Sequence, residues 1–183
     1  MLEDKDSLPG RRQFLQTSAA LASVLPLAAA DSTAAGIEPP RVPIALYRAI
    51  ADDRFPLALA WAAHMREQEQ SIAIIRNGDI TPIWYNDLYQ RWTRGPVAMA
   101  GLTAHGPLFC LERLAWDHGM RVAARVPVSP DASVDAMNWM THSPERWLEV
   151  AAQPATSADL PEDTLYAWVI APKALLPTNG DRS

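Results

Sequence analysis

The feature that most constrains the fold of this chain is a regular alternation of β-type and helical runs between residues 44 and 128. Short apolar or β-branched runs predict strands, and segments with helical spacing or helix-start signals separate them. The predicted strands are 44–50, 71–76, 96–102 and 120–128, and the predicted helices are 55–69, 84–92 and 106–119. This alternation is typical of a parallel sheet with covering helices. The sequence therefore predicts an α/β fold with a small three-layer, mostly parallel sheet.

The C-terminal third follows a less regular pattern. Ser143 and Pro144 predict the start of a helix that continues to about Ala152, because serine caps helix ends and proline fits the first turn. Residues 164–171 predict a last strand, and Pro172 favours a position at the edge of the sheet because proline cannot donate a ladder hydrogen bond. We expect one domain over 44–172 and a flexible tail over 173–183.

The first thirty residues have the pattern of a cleavable secretory signal. A charged start precedes a short apolar run over 19–27, which is too short to span a bilayer. The motif residues are Arg11, Arg12, Phe14 and Leu15, and the small residues of the cleavage site are Ala28 and Ala30. With its paired arginines, this segment resembles a twin-arginine (Tat) signal peptide.

The resemblance implies that the Tat translocase exports an already folded protein to the periplasm. Cleavage after Ala30 leaves a proline-rich leader over 31–43 ahead of the domain. Because Cys110 is the only cysteine, no intramolecular disulfide forms, and stability must come from the core. No later stretch approaches the roughly 20 apolar residues of a membrane helix, so we expect no stable membrane anchor in the mature chain.

The charge balance argues against some classes of partner. The chain has 16 basic and 21 acidic residues, which give a formal net charge of −5. A mildly acidic chain without a basic run argues against nucleic acid or anionic lipid as its partner. The four histidines have no H-x-x-x-H spacing, and a single cysteine cannot form a Cys-x-x-Cys pair, so the sequence predicts no metal site.

The best candidate for a ligand site is the segment 100–110, where the third predicted strand passes into a helix. Ligands of open α/β sheets gather at the carboxyl ends of strands, and the free N–H groups of a helix start suit a small anion. Two glycines would let a ligand approach the backbone, a threonine and a histidine would add hydrogen bonds, and a tryptophan after the second strand would form a wall. The predicted site residues are Gly101, Thr103, His105, Gly106 and Trp84. A purely structural strand–helix turn, capped by the threonine or a glycine, is the alternative interpretation.

Two classes of function stay open, and the sequence does not decide whether the protein is an enzyme. The favoured interpretation is a periplasmic accessory subunit or small-ligand binding protein, with a periplasmic protein as a possible partner, because no catalytic motif is present. The alternative is a small hydrolase or transferase that uses His105, Cys110 and Asp79 at neighbouring strand ends. The large apolar neighbours of Cys110 favour a buried, inert thiol. The sequence identifies no cofactor, reaction or oligomeric state.

Overall fold

The structure, a computed structural model, describes residues 44–153 and 163–176, which contain a five-stranded sheet with helices. In chain order the strands are β1 (Arg48–Asp52), β2 (Ile72–Ile75), β3 (Met99–Ala104), β4 (Met120–Pro127) and β5 (Leu165–Pro172). The order of the strands across the sheet is β2-β1-β3-β5-β4. The predicted α/β fold is confirmed at this level.

The α-helices lie between the strands and before β5. They are α1 (Pro56–Glu67), α2 (Thr81–Ile83), α3 (Tyr89–Thr93), α4 (His105–Asp117) and α5 (Pro144–Ala151). A π-helix, Trp84–Leu88, joins α2 to α3, so the predicted helix 84–92 consists of differently wound pieces. Two 3-10 helices, Val134–Thr141 and Lys173–Leu175, have no counterpart among the predicted elements.

The sheet is mixed, so the prediction of a mostly parallel sheet is wrong. β1 pairs in parallel with β2 and β3, whereas β5 pairs antiparallel with both β3 and β4. β5 also lies inside the sheet and not at its edge. Six of its eight residues are buried, as expected for an apolar strand with neighbours on both sides. Pro172 is its last residue, where it pairs with Met120 at the start of β4.

Two clusters of buried side chains form the core. Successive residues of a strand point to opposite faces, and accordingly Ala49 and Ala51 of β1 belong to one cluster while Ile50 belongs to the other. The first cluster contains Trp61 of α1, and the second contains Leu111 of α4. The helices that follow β1 and β3 therefore pack into different clusters.

The junction after β3 differs from the predicted turn. β3 continues through Ala104 and α4 begins at His105, so no loop separates the strand from the helix. The predicted strand 96–102 ended two residues too early. As a consequence, Gly101 and Thr103 lie within the strand, not in a turn that faces a ligand.

Several predictions fall outside the described residues. These are the signal-like segment 1–30 with its motif, the leader 31–43 and the tail residues 177–183. In the part of the chain that the structure describes, no helix is long and apolar enough to cross a membrane.

Candidate functional site

Four strand ends and one strand start define one edge of the sheet, which we call the carboxyl edge. β1, β2 and β3 are parallel and end there. β4 also ends there and β5 begins there, because β5 is antiparallel to both of its neighbours. In open α/β sheets this is the edge where ligands bind.

A buried carboxylate lies on this edge, beside the central strand β3. Asp52 ends β1, and no part of it is exposed to solvent. Its Oδ1 accepts a hydrogen bond from Nε of Arg54 at 2.9 Å, and its Oδ2 accepts one from a terminal guanidinium nitrogen at 2.6 Å. Oδ2 also accepts the backbone N–H of Ala104 at 3.4 Å, which ties the end of β1 to the end of β3.

The surroundings of Asp52 favour its ionised form. Burial by itself would raise its pKa, but the hydrogen bonds from the Arg54 side chain, from the Arg54 backbone and from Ala104 outweigh burial and hold the pKa below its usual value. A buried carboxylate is costly unless it is paired and hydrogen-bonded, and Asp52 meets both conditions. The ionised pair is therefore a fixed part of the carboxyl edge.

The guanidinium of Arg54 is already balanced by acidic groups. Its hydrogen bonds to Asp52 raise the pKa of Arg54, and the negative charges of Asp163 and Asp53 raise it further. The Arg54 side chain is 37 % exposed, and its guanidinium lies 5.7 Å from the centre of the Phe55 ring. With three aspartates around one arginine, this part of the carboxyl edge has a negative formal charge.

An apolar cleft of about 710 Å³ opens beside this ion pair. Its walls come from the start of α1, the end of β4 and the start of β5. The residues that matter for ligand chemistry are Phe55, Leu57, Pro127, Val128 and Leu165 in the walls, and Asp163 among the polar lining groups. The volume lies within the roughly 300–1,000 Å³ of small-molecule pockets, and the mostly apolar lining is also typical of them.

Gly101, the first of the predicted site residues, has a packing role. A Cβ atom at this position would lie 2.3 Å from Cζ2 of Trp168 and 2.9 Å from the carbonyl oxygen of Ile50. The indole of Trp168 is fully buried in the second core cluster. The close approach that the sequence analysis assigned to a ligand is therefore made by this indole.

Thr103 is occupied by the same tryptophan. Its hydroxyl oxygen accepts the indole N–H of Trp168 at 3.0 Å and donates to the carbonyl oxygen of Ala104 at 3.0 Å. The threonine is fully buried. Both hydrogen bonds lie within the protein, and the first satisfies the buried indole N–H.

His105 and Gly106 are the exposed members of the predicted site. They form the first two positions of α4, where backbone N–H groups have no partner within the helix. The ring of His105 lies 6.1 Å from the rings of Phe109 and Tyr166, measured between centres. Anion binding at this helix start is not tested by these contacts and stays a prediction.

Trp84 lies far from the other predicted site residues. Its ring packs edge-on against His118, at 6.1 Å between centres, and against Trp92 at 5.5 Å. His118 caps the C-terminal end of α4, whereas Gly106 lies in its first turn, about 18 Å away along the helix axis. The structure places Thr103, His105 and Gly106 near the carboxyl edge, Gly101 in the middle of β3, and Trp84 near the opposite end of α4.

Cys110 is exposed, so the expected buried thiol is wrong. The inward face of α4 consists of Pro107, Leu108, Leu111 and Ala115. Cys110 follows Leu108 by two residues, which turns it by about 200° around the helix and away from the core. Its apolar neighbours in the sequence indicated burial, but the helix places them on different faces.

The three residues of the hydrolase or transferase alternative also lie apart. Asp79 accepts the backbone N–H of Thr81 at 2.8 Å, and this hydrogen bonding lowers the pKa of Asp79. β1 lies between the strands that precede Asp79 and His105, a separation of about 10 Å at ordinary strand spacing. Cys110 lies about 7.5 Å further along α4. These are separations between backbone positions, and in the described part of the chain no hydrogen bond joins any two of the three side chains.

The sequence analysis missed the ion pair and the cleft. Asp52 and Arg54 belong to a short polar run, "DDR". Its position after a predicted strand was the only sequence signal for a functional role. The cleft joins three segments that are distant from one another in the sequence, so no local pattern predicts it. Among the described residues, no group of three or more histidine, cysteine or acidic side chains has a geometry that could hold a metal ion.

Comparison with known proteins adds no relative. A scan against protein-family models, a search of curated proteins and a search of solved structures each found no match to this chain.

Proposed function

We propose that this protein is a non-catalytic binding domain whose small ligand occupies the apolar cleft at the carboxyl edge. The observation that carries the proposal is the cleft itself, an apolar space of about 710 Å³ beside a buried ion pair. Such a space suits a molecule with an apolar body, and the polar groups around it would fix its orientation. This role agrees with the positions of His105, Cys110 and Asp79, which no hydrogen bond joins in the described part of the chain although the hydrolase or transferase alternative requires them to act together.

The proposal includes an arrangement of the helices in three layers. α1 follows β1 and packs into the first core cluster, while α4 follows β3 and packs into the second. Adjacent parallel strands whose helices leave toward opposite faces create a crevice between their carboxyl ends. Asp52 bridges the ends of β1 and β3 at that point, and the cleft begins three residues further along the chain.

The charges favour a ligand with a neutral or cationic polar group. Asp163 lies in the lining of the cleft and is exposed. The guanidinium of Arg54 is paired with the carboxylate of Asp52. An anionic ligand would meet the carboxylate of Asp163, and the described residues that line the cleft include no lysine, arginine or histidine to balance it. The cleft therefore suits a small amphipathic amine or alcohol better than the carboxylate expected from the sequence.

Export by the Tat translocase and a periplasmic location are part of this proposal. Their support is the N-terminal sequence pattern around Arg11 and Arg12. A binding domain in the periplasm would deliver its ligand to, or receive it from, another protein of that compartment.

Titration of the full chain with a neutral solvatochromic dye tests the cleft. Leu57→Asn places an amide in the wall, while Leu59→Asn makes the same change two residues further along α1 on an exposed position outside the wall. We expect Leu57→Asn to weaken dye binding about fivefold, which corresponds to about 1 kcal/mol for a partly buried leucine. Leu59→Asn should bind like the wild type. Equal affinities of all three proteins would refute the assignment of the cleft.

Displacement of the dye by two ligands of equal chain length tests the polar preference. Hexylamine should compete about two- to fivefold better than hexanoate at low salt, the size expected for an exposed charge pair. Asp163→Asn should remove this difference while the dye affinity stays the same. A preference for hexanoate that persists in Asp163→Asn would show that the anion predicted from the sequence is the right ligand class.

A further inference from the structure

The outer face of α4 exposes large hydrophobic side chains on a helix whose inner face is fully packed. Phe109 is 51 % exposed and Trp116 is 40 % exposed. Tyr85 and Tyr89, from the π-helix and α3, are exposed as well, and Tyr89 lies near the C-terminal end of α4 through their shared neighbour Trp84. Of the six exposed large hydrophobic side chains in the described ranges, four therefore belong to these neighbouring elements.

The exposed side chains of α4 follow the spacing of a helix–helix seam. Gly106, Phe109, Arg113 and Trp116, which we call the outer stripe, are separated by three, four and three residues. All four are exposed, and this spacing keeps them in one line along a helix. A line of this kind is the contact surface with which a second helix packs.

We propose that the outer stripe binds the outer stripe of a second copy of this chain, with the two α4 helices antiparallel. A two-fold axis that passes near position 111 places Phe109 opposite Arg113 of the second copy, and the symmetry repeats this pair. The same axis places Trp116 opposite Gly106 of the second copy. The spacing of the outer stripe is the same in both directions, so the stripe of a second copy in the opposite orientation matches it. A second copy of this chain is therefore the proposed partner.

The shapes of the paired residues agree with this register. A Cβ atom built on Gly106 would meet nothing within 4 Å, so this position leaves room for a large side chain from another chain. Trp116 is the largest side chain of the stripe and falls opposite that space.

The charges of the stripe also agree with self-association. Two copies of a chain with net charge −5 repel each other, but the stripe brings cations to the contact. Arg113 and Arg121 lie 4.3 and 5.4 Å from the Trp116 ring of their own chain, and a guanidinium also attracts the face of Phe109 across the axis. At the ends of the helix, the axis places His105 opposite Asp117 of the second copy.

The size of the surface sets the expected strength. A helix of 13 residues is about 20 Å long, and one such helix pair buries less than the roughly 1,200 Å² of a standard stable interface. We therefore expect a reversible dimer with a dissociation constant of tens of micromolar, independent of the cleft on the other core cluster.

Sedimentation velocity of the full chain between 5 and 500 µM, about two decades in concentration around the expected constant, measures the dimer. Phe109→Arg places two arginines opposite each other and should weaken association at least tenfold. The swapped variant Phe109→Arg with Arg113→Phe restores the pair only in an antiparallel register, so its dissociation constant should return to within threefold of the wild type. Leu59→Arg also replaces an exposed hydrophobic side chain by arginine, but on α1, and it should leave the dissociation constant of the dimer unchanged.

Cys110 supplies a second measurement, because it is exposed and lies one residue from the proposed axis. A short bismaleimide should cross-link two wild-type chains through this cysteine, and Cys110→Ser should lose the cross-link but keep the dimer in sedimentation. Circular dichroism confirms that each variant is folded. A wild-type chain that stays monomeric at 500 µM, or a swapped variant as weak as Phe109→Arg alone, would overturn the proposal.

Discussion

The contact between Gly101 and Trp168 gives the sharpest test of the core. In Gly101→Ala, the new methyl group would lie 2.3 and 2.6 Å from two carbons of a fully buried indole and 2.9 Å from a backbone oxygen of β1. The backbone of β1 cannot retreat, because β1 is paired on both sides. The indole must therefore move, which adds about 1–3 kcal/mol of overpacking and about 1 kcal/mol for the strained hydrogen bond to Thr103. We expect a total loss of about 2–4 kcal/mol.

Urea unfolding, followed by circular dichroism, measures this loss. Gly106→Ala is the matched control, since its new methyl group meets no atom within 4 Å and lies at a helical position where alanine is favoured. It should leave the free energy of unfolding unchanged or raise it by up to about 1 kcal/mol. A value for Gly101→Ala within about 0.5 kcal/mol of the wild type, the range of ordinary surface changes, would refute the packing described for β3.

Two further predictions concern the ion pair and the N-terminus. Asp52→Asn should lower the free energy of unfolding by about 1–3 kcal/mol near neutral pH, less than for a fully buried pair because Arg54 can turn to solvent. Because folding lowers the pKa of Asp52, its contribution is present above the usual carboxyl pKa and disappears as the pH falls below it. The difference between variant and wild type should therefore narrow on acidification in a urea titration series, and a constant difference from pH 7 to 3 would contradict the ion-pair argument. Replacement of Arg11 and Arg12 by lysine should leave uncleaved precursor in the cytoplasm, as shown by cell fractionation, and an unchanged periplasmic yield would contradict the Tat assignment.

The elements with strong local patterns could be predicted from the sequence. The predicted helix 55–69 corresponds to α1, and Trp61 and Met65, four residues apart on this helix, are both buried. Local spacing suffices there because one face of the helix meets one cluster. The direction of β5 could not be predicted in this way, since the same apolar run fits either direction. Pairing with β3 and β4, which are distant in the sequence, decides it.

The candidate site shows the same limit. Gly101, Thr103 and Gly106 have the composition of a ligand-binding turn, and only the extension of β3 by two residues turns the first two into packing positions. The residue that occupies them, Trp168, lies 65 residues away. The residue types thus correctly indicated that something approaches the backbone closely and accepts or donates hydrogen bonds there. They did not indicate that the partner is a buried tryptophan of the same chain.

The ion pair explains why the cleft lies where it does. A buried charged pair is weak evidence for stability, because apolar residues of similar volume often serve equally well. The ion pair instead fixes the positions of two neighbouring segments. Asp52 holds the end of β3, and it also holds the side chain of Arg54, which immediately precedes the cleft residue Phe55. The direction in which the chain leaves β1 toward α1 is thereby set by hydrogen bonds at the carboxyl edge. One wall of the cleft therefore depends on Asp52, although Asp52 itself is buried and is not among the residues that line the cleft.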